Sequence, residues 1–375
     1  MIPTIEDLDL EAFSVLIRIS IAGSKQQLHE LYDMELEHVK ALEEIGLKRV
    51  FFTEKHVNPS RPSPSQPAII AAASQRTSRV RLGALVYVLP MRSPLLLAEE
   101  VSMLDHLCKG RLELGVGSGV DVGSRALACM KLDPEVAREM SIEATRFLIE
   151  YFKSGGARFS FKGRYYEFED VLPPVMPYQR PHPPLWFPVR RREAVEWAAE
   201  NGYNIVRGWL SWLRGTTREH FEHYRRTFES RASTSVNRKG PYLSLSKLVL
   251  VDKDDHRARQ RGEVAIKRHL EYLFSEWSVR WTRAFTGSTP IDDFLLNELK
   301  TNVIDGNNAA EYAVNRGIAF IGAPDRVAAQ MRRSLAESGA NSFVLLTRFG
   351  DLSYSESLRT AEMLVNEVIP LLIRS

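Results

Sequence analysis

The chain has 375 residues, 44% hydrophobic and 26% charged, the composition of an ordinary globular protein with no limit on core size. A formal net charge of only +3, with no dense Lys/Arg stripe interleaved with aromatics, argues against a nucleic-acid partner. Cys108 and Cys129, the two cysteines, lack CxxC spacing and so indicate neither a disulfide framework nor a zinc site. The acidic opening MIPTIEDLDLEAF is not a secretory signal, and no apolar run approaches a membrane span, so a cytoplasmic location is expected.

In chain order, a strand is predicted over Phe13–Ile19, a helix over Leu28–Ile45 and a second strand over Arg49–Thr53. After a helix at Pro67–Gln75, Val80–Val88 is apolar and β-branched on nearly every position, as in a parallel strand buried on both faces. Pro90 and Pro94 close it. Leu96, Leu97, Val101 and Leu104 then form one stripe of a helix over Leu95–Leu107, Gly110 ends it, and Arg111–Gly117 starts the fourth strand. Further strands are predicted at Pro184–Val189, Asn204–Arg207, Leu243–Val251 and Ser342–Thr347. Helices fall at Pro134–Phe152, Arg191–Glu200, Thr217–Ser230, His256–Ser275, Pro324–Glu337 and Ser355–Leu372.

Eight strands alternating with helices predict an α/β fold, a closed (β/α)8 TIM barrel rather than an open doubly wound sheet. Insertions into one such domain account for the length. Arg158–Phe168 alternates with period two around Lys162-Gly163, an inserted antiparallel hairpin. Tyr272–Gly317, between the seventh and eighth strands, carries Trp277, Trp281, Phe285, Phe294 and Tyr312. It reads as a lid over the C-terminal ends of the strands, where barrel active sites lie, or as extra helices on the barrel exterior.

Three groups of residues invite chemistry. Gly115–Gly123 (GVGSGVDVG) follows a strand but lacks the G-x-G-x-x-G spacing of a dinucleotide fold; its glycines let backbone approach a flat ligand, or make a tight turn. Arg190, Arg191 and Arg192 open a helix, where each cation is unfavourable by about 0.3–1 kcal/mol. They call for an anion such as phosphate, unless the run is merely solvated. Glu54, Lys55 and His56 follow the second strand, where a barrel displays catalytic groups. His220 and His223 have no third ligand nearby, so no metal site is read from them.

Leu82–Gly119 follows the pattern LG-x5-LP-x3-P-x3-AE-x4-LD-x4-GR-x3-G-x3-G, and in this it closely resembles the luciferase-like flavin monooxygenase family. Glu43–His56 (EEIGLKRVFFTEKH), Pro183–Trp209 and Phe320–Leu372, with IGAPDRVAAQM and EVIPLL, extend the resemblance. It implies an FMNH2-dependent monooxygenase that oxygenates a small organic substrate through a flavin hydroperoxide, with reduced FMN supplied by a separate flavin reductase, and a homodimer. Alternatives on the same barrel are a deazaflavin-dependent hydride-transfer oxidoreductase and a catalytically silent flavin-binding protein.

By the same resemblance the flavin ring lies beside Gly117, Ser118 and Val120, over a non-proline cis peptide at Leu85-Val86, and packs on Trp209. Arg138 and Arg190–Arg192 meet its phosphate, although the family uses small hydroxyl residues where this chain has the arginine run. Trp212, Phe52 and Tyr87 are further candidates for the pocket lining, and Asp105 and Arg111 are structural. The family's Glu-His-His becomes Glu54-Lys55-His56. Lys55 holds the position of the catalytic imidazole, so either its ammonium serves as proton donor or oxyanion stabiliser or His56 serves; imidazole chemistry favours His56, which is expected to be the acid/base.

Overall fold

A computed structural model describes residues 2, 7–21, 27–120, 125–208, 213, 215–230, 240–277 and 297–373. Its strands are β1 (Phe13–Ile17), β2 (Arg49–Phe52), β3 (Arg81–Val88), β4 (Leu112–Gly117), β5 (Phe159–Lys162), β6 (Glu167–Val171), β7 (Leu185–Pro188), β8 (Asn204–Arg207), β9 (Leu243–Val251), β10 (Ala319–Gly322) and β11 (Ser342–Leu346). The helices used below are α1 (Leu28–Ile45), α2 (Gln66–Arg76), α3 (Pro94–Leu107), α4 (Arg125–Cys129), α5 (Pro134–Lys153), α6 (Arg192–Glu200), α7 (Thr217–Ser230), α8 (Asp255–Trp277), α9 (Ala309–Asn315), α10 (Pro324–Ser338) and α11 (Tyr354–Met363).

The eight strands expected from the sequence close into a parallel barrel in the order β1, β2, β3, β4, β7, β8, β9, β11, with β11 pairing back to β1. β10 was not among them. It lies along Leu248–Val251 of β9, on the edge whose earlier residues Leu243–Leu245 pair with β8. Four residues ending in glycine are too short to show a period, so only the tertiary pairing marks this strand.

Alternation along each strand sorts residues between two cores. Phe13, Val50, Phe52, Leu82 and Leu114 pack outward against the helices, while Leu16, Phe51, Trp186, Val206, Leu248 and Leu346 fill the interior. The N-terminal floor of the barrel is ionic. Buried Glu113 accepts from Arg49 Nε (3.0 Å), from Trp186 Nε1 (2.6 Å) and from Arg81 Nε. The Arg49 guanidinium lies over the Trp186 and Tyr242 rings at 5.2 and 4.9 Å. Burial raises the Glu113 pKa, but Arg81, Arg49 and Trp186 outweigh it and hold the carboxyl below its ordinary value.

The hairpin β5–β6 forms as expected. Phe161 and Phe168 seat it against Phe147 of α5 at 5.3 and 4.8 Å between ring centroids. Glu143 of α5 accepts the N–H groups of Arg164, Tyr165 and Tyr166 at its turn.

The cover of the barrel differs from the expectation in its starting point. α8, read from periodicity as an ordinary barrel helix, crosses the C-terminal face. Its Arg261 bonds Asp351 and Glu356 beyond β11, His269 meets Phe349 edge-on at 5.9 Å, and Tyr272 lies under Arg61, in the loop after β2, at 4.6 Å. Ala265, Ile266, Leu270 and Leu273 on its inner side join the interior core. Within the expected lid, α9 docks on α8 through Glu263, which accepts the N–H groups of Ala309 and Ala310. Trp281, Phe285 and Phe294 lie outside the described residues.

Candidate active site

At the C-terminal end of β3 the ladder with β4 skips between Ala84 and Tyr87, and the Leu85-Val86 peptide is cis. In a strand otherwise buried beyond Arg81, Leu85 and Val86 alone are partly exposed. β4 fits beneath this bulge only because of its glycines. A Cβ on Gly115 would lie 2.1 Å from the Ala84 carbonyl oxygen. Gly119 has φ +65° and would place a Cβ 2.4 Å from Val88 Cγ1, so both geometry and space select glycine. Gly117, Ser118 and Val120 are likewise half-exposed, and Ser118 Oγ accepts the Val120 N–H at 3.4 Å.

Beside the bulge, Glu54 is a buried hub. Its Oε1 meets His56 Nε2 at 2.7 Å and the Val88 N–H at 3.3 Å, and its Oε2 accepts from Arg92 Nη2 at 2.8 Å. Arg92 was not singled out by the sequence. It shares the Glu54 carboxylate with His56. Lys55 is half-buried, and its N–H bonds the Ser63 carbonyl at 2.9 Å in a one-residue antiparallel bridge. Glu54 and His56 therefore share one side of the chain, with Lys55 between them in sequence.

Two pocket candidates are corrected. Phe52 and Tyr87 both point into the outer core between sheet and helices, fully buried, because the strand period that places Phe51 inside places Phe52 outside. Trp209 and Trp212 lie outside the described residues. Asp105 and Arg111 are structural as expected. Asp105 accepts from the Gln179 backbone and side chain at 2.7 and 2.8 Å, and Arg111 binds the carbonyls of Ser74, Thr77, Val80 and Cys108.

The arginine run divides. Arg191, at the N-cap of α6, grips Glu135 of α5 with both Nη atoms at 2.7 and 3.2 Å, and Arg138 bonds the same carboxylate. Arg192 reaches instead toward Glu219 of α7 at 3.9 Å. The Arg190 side chain is exposed, and its carbonyl accepts from Arg207 at 3.3 Å. So the anion that the N-terminus of α6 calls for is supplied by the protein itself. Arg191 above all, then Arg138, lowers the Glu135 pKa.

Arg207, at the end of β8, carried no sequence signal. Buried, it ties the loop after β7 to α7, donating to Val189 O (3.0 Å), Thr216 Oγ1 (2.7 Å) and His220 Nδ1 (2.6 Å). Burial and the Arg207 charge lower the His220 pKa, so its Nδ1 serves as acceptor.

A family profile described as luciferase-like monooxygenase matches residues 12–342. The uncharacterised protein y4wF of Sinorhizobium fredii is 29% identical over 344 residues, 90% of this chain and 91% of that protein. Limonene 1,2-monooxygenase of Rhodococcus erythropolis is 26% identical over 337 residues, 90% of this chain and 80% of its own. The oxygenase component of the flavin-dependent trigonelline monooxygenase of Acinetobacter baylyi is 25% identical over 194 residues, 52% and 53% of the two chains. Among solved structures, monooxygenase RslO1 of Streptomyces bottropensis superposes with TM-score 0.75 at 20% identity, covering 96% of this chain and 98% of its own. The coenzyme F420-dependent tetrahydromethanopterin reductase of Methanopyrus kandleri shares the fold at TM-score 0.66 and 16% identity, with coverage of 96% and 98%.

Proposed function

The chain belongs to the luciferase-like monooxygenase family, and on that premise we propose that it is the oxygenase of a two-component system. It takes reduced FMN from a separate flavin reductase and, with O2, oxygenates a small organic substrate at the mouth of the barrel. The names of the limonene and trigonelline relatives support an oxygenase, and the latter a component that works with another. The observation that carries the reading is the half-exposed Leu85–Val86 bulge facing the half-exposed Gly117–Val120 turn.

Reduced FMN, when bound, supplies the electrons that activate oxygen. Leu85, Val86, Gly117, Ser118, Val120 and Trp209 hold its ring, and Arg138 with Arg190–Arg192 its phosphate. The phosphate corner fits the group. Two guanidiniums already converge there on one carboxylate, and the Arg191–Glu135 pair is more than half exposed on both sides. An exposed pair is worth only about 0–1 kcal/mol, so a phosphate that both arginines can fork displaces Glu135 at small cost.

Glu54 holds His56 through Nε2 and fixes the ring, leaving Nδ1 to give or take the proton that oxygen transfer requires. Lys55 supplies a positive charge from the adjacent position. α8 covers the mouth and excludes water. No helix among the described residues is long and apolar enough to cross a membrane, in keeping with an enzyme that meets its reductase in the cytoplasm.

The test is anaerobic titration with reduced FMN, reduced riboflavin and a reduced deazaflavin. Arg138→Ala or Arg191→Ala is expected to weaken FMN binding by about 1.5–3 kcal/mol and to leave riboflavin unchanged. Glu135→Gln is expected to tighten FMN binding by up to about fivefold, the worth of the exposed pair it removes. Equal losses for FMN and riboflavin would assign the arginines to the fold, and preference for the deazaflavin would move the protein to hydride transfer.

A further inference from the structure

The apolar inner side of α8 over the barrel mouth includes a buried histidine. His269, between Ile266 and Leu270 of the interior core, is 4% exposed, and its Nε2 has no hydrogen-bond partner among the described residues. Phe349 touches the ring edge-on at 5.9 Å. A polar atom kept dry and unpartnered is costly and uncommon in a native core, and its retention points to a ligand.

The surroundings define that ligand's charge. Arg18 directly follows β1, and Arg61, itself buried, stands in the loop after β2 with its guanidinium over Tyr272 at 4.6 Å. Burial first, then the charges of Arg18 and Arg61, hold His269 well below the ordinary histidine value, so the ring is neutral beside two cations. The position is equally informative. In the barrel order β1, β2, β3, β4, β7, β8, β9, β11, β1 lies diametrically across from β7, after which come Arg190–Arg192. The mouth thus carries arginines on two opposite sides, with the bulge of β3 between them. One side suits the FMN phosphate.

We propose that the other receives the substrate, and that the substrate is an organic oxyanion whose carboxylate or sulfonate is bound by Arg18, Arg61 and His269 Nε2 beneath α8. This rests on the reading of the barrel mouth as an oxygenase site. The guanidiniums supply charge, and the imidazole supplies a directed hydrogen bond that a neutral isostere cannot exploit as fully.

The experiment is calorimetric titration of the flavin-free protein with benzoate, benzenesulfonate and benzamide, and with hexanoate, hexanesulfonate and hexanamide. At least one acid is expected to bind ten times or more tightly than its amide, about the value of a charge-assisted hydrogen bond; the carboxylate and sulfonate arms show which oxyanion is preferred. His269→Phe is expected to lose about tenfold in acid affinity while its melting temperature holds or rises, because an unpartnered buried polar atom has been replaced by an apolar ring. His269→Gln, which keeps a donor, is expected to retain more binding than His269→Phe and serves if the latter fails to fold. Amides binding as well as acids, acid affinity indifferent to both His269 variants, or no acid binding at all would overturn the inference. Reduced FMN is titrated in parallel. FMN bound without acids removes this inference alone, and acids bound without FMN removes the cofactor assignment alone.

Discussion

His56 and Lys55 are neighbours with different surroundings, and that difference predicts their kinetics. His56 is held by a buried carboxylate that also accepts from Arg92, the arrangement that orients an imidazole for proton transfer. His56→Ala is expected to lower product formation about 10²-fold with reduced-FMN binding preserved, and Lys55→Ala to cost less. The alternation that pairs Glu54 with His56 turns Lys55 the other way, so a larger loss in Lys55→Ala, measured at saturating flavin, would transfer the proton to the lysine. At this scale the sequence was legible where a residue sits beside a motif, as Glu54, His56 and Gly117 do. Arg92, Arg207 and His269 were not, because what marks them is a buried partner, or the lack of one, far along the chain.

Glu356 joins two elements. It closes a capping box with Ser353 at the start of α11 and receives Arg261 from α8, so the covering helix is anchored to the loop after β11. Burial opposes its ionised form, but Arg261 and the Ser353 N–H more than compensate, bringing the pKa from 4.5 to about 2. A carboxyl depressed on folding stabilises the native state above its unfolded pKa and loses that contribution as pH falls through the folded value. Glu356→Gln should therefore be less stable than the parent at neutral pH, by about 1 kcal/mol or more from the weakened cap. The gap should close as pH falls from 4.5 toward about 2. Urea midpoints across that range decide it, and a gap that widens in acid contradicts the assignment.

Elements were the most legible level of this chain. Short apolar, β-branched runs alternating with helical patterns located the eight barrel strands, and period-two alternation around Lys162-Gly163 located the hairpin. Periodicity also found α8, but it reports which face is apolar and not where the helix travels, so its passage over the mouth required the contacts of Arg261, His269 and Tyr272.

On the scale of the molecule, Leu96, which periodicity grouped with the buried Leu97, Val101 and Leu104, lies instead with Met103 and Leu107 on the outer face of α3, at 59, 58 and 42% exposure, spaced to fall on one stripe. We propose that this stripe is where the homodimer implied by the family resemblance pairs. Met103→Glu is expected to convert a dimer to a monomer in light scattering without loss of helix content, and a parent protein that is monomeric at micromolar concentration would exclude the dimer.

The barrel mouth as a whole brings together a half-exposed strand bulge, two arginines at one rim and a covering helix, and the central claim is that this assembly directs reduced FMN to react with oxygen under protection. The most direct test needs no substrate. Reduced FMN, premixed anaerobically with the protein, is mixed rapidly with aerated buffer while the return of oxidised-flavin absorbance is followed. Recovery markedly slower than for free reduced FMN, and accelerated again in Arg138→Ala, is the predicted result. Recovery at the rate of free FMN, with or without the protein, would contradict the account.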